Sequence, residues 1–135
     1  MDSLHIYLDD FRHPYDAFNI LKDTDYLKLK WVVVRSHDEF VKTITNFFSE
    51  GKWPAIISFD HDLDDEHYTI GEKTGYKEFD YSLTTIPTGF HSAQWIIEFC
   101  KTNNLNLPAF KVHSQSTAGR KNITAILEEF SNSKK

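Results

Sequence analysis

The chain reads as an α/β protein, a three-layer sandwich around a mostly parallel four-stranded sheet. Three observations point there. Short apolar runs rich in β-branched residues recur along the chain. Segments of helical periodicity separate them. Each run passes at its carboxyl end into polar, chemically competent residues. Strand–helix alternation of this kind implies a parallel sheet covered on both faces, because parallel strands need crossover connections. Right-handed crossovers then make 2-1-3-4 the economical strand order.

Leu4-His5-Ile6-Tyr7-Leu8 is the first strand and runs directly into Asp9-Asp10. Pro14 restricts His13 to extended backbone and suits the first turn of a short helix over 15–22. Lys30 to Arg35, with Val32-Val33-Val34 inside it, is the second strand. Ser36 with Glu39 forms a capping-box pattern, and Phe40, Ile44, Phe47 and Phe48 follow at helical spacing until Gly51. Ala55 to Phe59 is the third strand and ends in Asp60-His61-Asp62. Residues 64–87 are polar, carry Gly71, Gly75 and Pro87, and show no regular pattern; they read as a lid inserted after this strand, with enough aromatics to pack. Thr88-Gly89 opens an apolar helix containing Trp95 and Cys100. Ala109 to His113 is the fourth strand. A last helix spans about 119–130 with Ile123, Ile126, Leu127 and Phe130 inward, and 131–135 is a polar tail.

Composition narrows the function. The 135 residues suit one domain, and 40% hydrophobic with 26% charged residues is ordinary for a globular protein. A net charge of −5 argues against generic DNA or RNA binding, which needs a basic face, yet leaves room for a small phosphorylated ligand. One cysteine excludes an intrachain disulfide and suits a reducing compartment. The start lacks a signal peptide, and no run approaches membrane-spanning length, so a cytoplasmic protein without membrane contact is expected.

In an open parallel sheet, ligands bind beyond the carboxyl ends of the strands where the winding reverses, here between the first and third strands. Asp9, Asp10 and Asp60 converge there and suit Mg²⁺ or Mn²⁺; turn capping by the same carboxylates is the competing reading. His61 and His113 read as an acid/base pair beside Asp62. Arg12 suits a phosphate oxygen or a salt bridge to Asp9, Asp10 or Asp62. The turn from Ser114 to Gly119, reinforced by Asn122, offers hydroxyls and backbone donors to an anion.

Together Leu8-Asp9-Asp10-Phe11-Arg12-His13-Pro14, Phe59-Asp60-His61-Asp62-Leu63, Thr88-Gly89 before the Trp95 helix, and His113-Ser114 with Gly119 and Asn122-Ile123 resemble the cyclic-phosphate-processing receiver-like domains of bacteria and phages. The resemblance covers nearly the whole chain. It departs at Ser114 to Gly119, which lacks an Asn-Pro turn, and in the longer, more aromatic segment after Leu63. It implies a receiver-like, flavodoxin-type fold and action on cyclic phosphates, either cyclic nucleotides or RNA 2′,3′-cyclic phosphate ends. Asp9, Asp10, Arg12, Asp60, His61, Asp62, His113 and Ser114 occupy the motif positions.

The expected mechanism is phosphoester hydrolysis. His61, His113, Asp60 and Asp62 would be catalytic; Arg12, Ser114, Gly119 and Asn122 would bind substrate; Asp9, Asp10 and Asp60 would hold the metal. The lid would exclude water or supply Tyr68, Tyr76 or Tyr81 for stacking. Two alternatives stand beside it: a module that sequesters the same ligand without turnover, and an interaction domain whose polar cluster is only a hydrogen-bond network. A phosphoacceptor receiver is less favoured, because no fifth strand with its Lys follows His113.

Overall fold

Four parallel strands form the sheet in the order β2-β1-β3-β4, where β1 is Leu4–Leu8, β2 Trp31–Val34, β3 Pro54–Phe59 and β4 Ala109–Val112. The structure is a computed structural model and describes residues 3–133. The strand order is the economical one expected from right-handed crossovers. Passing from β1 to β2 moves one way along the sheet, and passing through β3 to β4 moves the other, so right-handed connections place their helices on opposite faces.

Alternation along β1 shows the result. Ile6 and Leu8 face one layer with Val34, Ile57 and Phe59; Tyr7 faces the other with Trp31 and Val33. The first layer carries the larger core. Helices α3 (His37–Ser49), α5 (Gly89–Asn103) and α6 (Thr117–Ser133) bring Phe40, Ile44, Ile96, Ile123 and Leu127 onto the sheet. On the second face α1 (Pro14–Leu21) and a single turn, α2 (Asp25–Lys28), supply Ala17 and Tyr26. Helix α2 has no counterpart in the sequence reading. Aromatic residues fill both layers: Phe40 packs on Phe59 and Trp95, and Tyr26 stacks on Trp31.

Local chemistry sets the helix ends. The Ser36 side chain accepts the Glu39 amide, and Glu39 Oε1 accepts the Arg35 amide, which closes both sides of the α3 start. Gly51, at φ +79°, makes the turn after α3.

The segment after β3 differs from its reading as irregular. Asp65–Glu72 is a helix, α4, and Tyr81–Leu83 is a 3₁₀ turn. The Asp64 side chain caps α4 by accepting the Glu66 amide. A buried histidine then closes the segment: His67 accepts the Leu63 amide at Nδ1 and donates from Nε2 to the Ile86 carbonyl, tying its two ends together. Helix α4 buries His67, Ile70 and Gly71, so two of the three inward positions carry no hydrophobic signal.

Candidate active site

The carboxyl ends of β1, β3 and β4 meet at one edge of the sheet. Leu8 and Phe59 are in register, as are Phe59 and Val112, so Asp9, Asp60 and His113 follow side by side. The ladder continues one step past the strands, with the Asp60 amide on the Leu8 carbonyl and the His113 amide on the Phe59 carbonyl.

Asp9 is fully buried and fully used. Its Oδ1 accepts the amides of Phe11 (3.1 Å) and Arg12 (2.8 Å), and its Oδ2 accepts His113 Nε2–H at 3.1 Å. Burial pushes this carboxyl up, but those hydrogen bonds outweigh it and hold the group below its ordinary value. Its neighbours behave oppositely. Asp10 is pushed up to about 6 by burial and by the Asp9 charge. Asp60, 3% exposed, is driven well above the ordinary range by the same two causes. Asp10 Oδ1 and Asp60 Oδ2 are buried without a hydrogen-bond partner. Carboxylate oxygens so placed are costly unless a proton or a cation meets them.

Two hydrogen-bonded chains back this edge. In one, His113 Nε2–H donates to Asp9, Nδ1 accepts from the Ser58 hydroxyl (2.7 Å), and Ser58 Oγ accepts from the Tyr26 hydroxyl (2.7 Å). Burial lowers the proton affinity of His113 against the pull of Asp9, and the Asp9 carboxylate, which can only accept, sets the tautomer with hydrogen on Nε2. Tyr7 stacks flat on it, with centroids 4.3 Å apart. In the other, His61 Nδ1–H donates to Asp62 Oδ1 (2.7 Å). Its Nε2 accepts from the Tyr81 hydroxyl (2.9 Å), whose oxygen takes the Asn122 amide hydrogen (3.0 Å). Phe79 sits edge-on to the same ring.

Packing leaves these groups no slack. A Cβ on Gly89 would lie 1.7 Å from the Asp60 carbonyl oxygen, and one on Gly119 would lie 2.4 Å from the His61 ring. Both positions require glycine for close approach rather than for a special φ.

A cavity of about 250 Å³ opens in front of the edge. Asp60 and Asp62 line it together with Arg12, Gln115, Ser114 and Ser116. Arg12 Nη2 donates to Gln115 Oε1 at 3.4 Å. The aromatic wall is Tyr68 and Tyr76, both from the segment after β3. Burial and the Asp60 charge raise the affinity of Tyr68 for its proton, so its hydroxyl stays protonated among the carboxylates.

The sequence model of the cyclic-phosphate processing receiver domain matches residues 4–81 and 72–129. The chain belongs to that family. No curated protein and no solved structure matches it. Membership ties this receiver domain to cyclic-phosphate processing, and its parallel 2-1-3-4 sheet is the receiver-like arrangement.

Within the receiver domain the anticipated residues other than Asp10, which is not among the residues that line the cavity, fall into three groups. Arg12, Asp60, Asp62 and Ser114 line the cavity. Asp9, His61 and His113 stand behind it, with each imidazole hydrogen-bonded at both nitrogens. Gly119 seats His61, and the Asn122 side chain serves Tyr81, so neither is among the residues that line the cavity. Among the described residues, Asp9, Asp60 and His113 each bring an atom within 4.8 Å of the others and could surround a cation. The hydrogen bonds argue for a different set. His113 and Asp9 already satisfy each other, whereas open oxygens remain on Asp60, inside this cluster, and on Asp10, outside it.

Sequence reasoning missed Arg35, Ser58, Tyr26 and Gly71. Arg35 donates to the Asp9 and Arg12 carbonyls (3.2 and 2.7 Å) and holds the loop after β1. Its place directly after the β-branched run of β2, at the same sheet edge, was the available signal. Ser58 points away from the main core by strand alternation, which was equally readable.

Proposed function

We propose that the cavity binds a cyclic phosphodiester and opens it by attack of water. The observation that carries this reading is the pairing of opposite chemistries in one small space. Arg12, Ser114 and Ser116 offer donors to the non-bridging oxygens of an anion, and Asp62 offers an acceptor to a water. His61 occupies one Asp62 oxygen and fixes the carboxylate's orientation. Asp62 is therefore the general base. Oxygen from water ends on phosphorus, its proton passes to Asp62, one phosphorus–oxygen bond to the sugar breaks, and the departing oxygen takes a proton from solvent at the cavity mouth. The product is a phosphomonoester.

His61 and His113 act here as positioning residues: one holds Asp62, the other Asp9. Asp10 and Asp60 would hold Mg²⁺ or Mn²⁺, with Asp9 beside them, and such an ion supplies Lewis-acid polarisation of a phosphoryl oxygen. The ligand is a cyclic nucleotide or an RNA end. No described helix is long and apolar enough to cross a membrane, and a chain with one cysteine suits the reducing cytoplasm.

A panel of 2′,3′-cyclic and 3′,5′-cyclic nucleotides and cyclic-phosphate RNA ends tests the reading, with Mg²⁺ or Mn²⁺ present. Asp62→Asn should lose about 10²–10⁴ of the rate of the wild type. Equal rates for the two proteins throughout the panel would sink it. One observation favours a second reading, binding without turnover: neither imidazole lines the cavity. Ligand recovered intact after tight binding would select that reading.

A further inference from the structure

The aromatic wall of the cavity is built into the backbone. Tyr68 and Gly71 stand three apart on α4 and share a face of that helix. The Tyr76 ring lies directly against Gly71, so that a Cβ there would come within 2.7 Å of Tyr76 Cδ1 and 2.9 Å of Cε1. To reach this seat the chain turns back through two consecutive left-handed residues, Gly75 at φ 62° and Tyr76 at φ 65°. Glycine adopts that conformation freely; tyrosine does not.

Hydrogen bonds hold the turn. The Tyr76 amide donates to the Gly71 carbonyl at 2.9 Å, and the Tyr76 carbonyl accepts the Ala118 amide of α6 at 3.0 Å. Thr74 Oγ1 donates to the Glu78 carbonyl and accepts the Glu78 amide. A tyrosine in a disfavoured conformation, anchored on both α4 and α6 and facing the cavity, is a positioned side chain. The cavity itself, about 250 Å³, is smaller than the ~300–1,000 Å³ that encloses a whole small-molecule ligand. A cyclic phosphate and its sugar fill such a space, which leaves a planar base to lie along the tyrosines.

We propose that Tyr68 and Tyr76 form a nucleoside-recognising wall, with Gly71 as the seat that sets Tyr76, and that the domain therefore selects cyclic phosphates borne on a nucleoside over those borne on an aliphatic polyol. This rests on the reading that the cavity takes cyclic phosphates. Base–aromatic stacking sets the expected size of the preference, about tenfold or more.

The experiment compares uridine 2′,3′-cyclic phosphate with glycerol 1,2-cyclic phosphate on the full chain, by turnover and by ligand-induced thermal shift. The wild type should favour the uridine compound. Tyr76→Leu, and separately Gly71→Ala, which keeps the tyrosine but displaces its ring, should bring the two compounds towards equality. Circular dichroism confirms that each variant is folded; if Gly71→Ala does not fold, Tyr76→Leu decides alone. Equal use of both compounds by the wild type overturns the wall and leaves cyclic-phosphate processing standing. An unchanged preference in Tyr76→Leu also overturns it. If neither compound is turned over or shifts the melting temperature, the wall falls, and the panel of cyclic nucleotides and RNA ends decides cyclic-phosphate processing separately.

Discussion

Asp10 shows how one residue's surroundings become a measurable property. Its folded carboxyl is pushed up to about 6, against an ordinary value of 3.8. Between those values the folded state keeps a proton that the unfolded chain has lost. Stability therefore declines as pH rises from about 4 to about 6, and stays lower above that window. Asp10→Asn removes this cost. In chelator, differential scanning fluorimetry should show the variant melting above the wild type at pH 7, with the lead vanishing as pH falls through the window. Added Mg²⁺ should raise the wild type more than the variant; a larger rise in the variant would remove Asp10 from the proposed ion site. The sequence exposed Asp10 as one of a pair but could not separate it from Asp9. That difference depends on which carboxylate meets the amides of Phe11 and Arg12, and the backbone path alone decides it.

At the scale of elements, legibility followed hydrophobic period and capping chemistry. Helix α3 was readable because Ser36 and Glu39 close its start and apolar residues recur along it. Ser36→Ala should lower stability by about 0.5–2 kcal/mol in urea titration, the usual cost of a lost cap. Helix α4 was not readable, because its inward positions are a histidine, an isoleucine and a glycine. His67 does the work of a hydrophobic anchor through two backbone hydrogen bonds 23 positions apart along the chain, at Leu63 and Ile86. His67→Ala leaves that amide and that carbonyl without their partner and should loosen residues 64–87. Limited proteolysis should then cut within the segment faster than in the wild type, while the rest of the chain resists.

Across the whole molecule, the observed strand order is the economical one expected from strand–helix alternation and right-handed crossovers. Long-range packing determines what the sequence left open. The two strands that run into His61-Asp62 and His113 do place these groups at one edge, but the third dimension turns both imidazoles to the rear. Removing a central contact from the larger core tests how far the site depends on it. Leu127, fully buried on α6, should cost about 2–5 kcal/mol when truncated to alanine. The urea midpoint should fall with its slope unchanged.

Gly89 and Gly119 bear on how such a chain can vary. Each stands where the smallest added carbon would strike the Asp60 carbonyl or the His61 ring, and neither obstacle is the free end of a flexible side chain. In a saturation library selected only for folding, these two columns should stay nearly monochrome. Gly51, with open space around it, should accept asparagine, which tolerates its left-handed backbone. Inheritance at this sheet edge is thus policed by clearance before any substrate arrives.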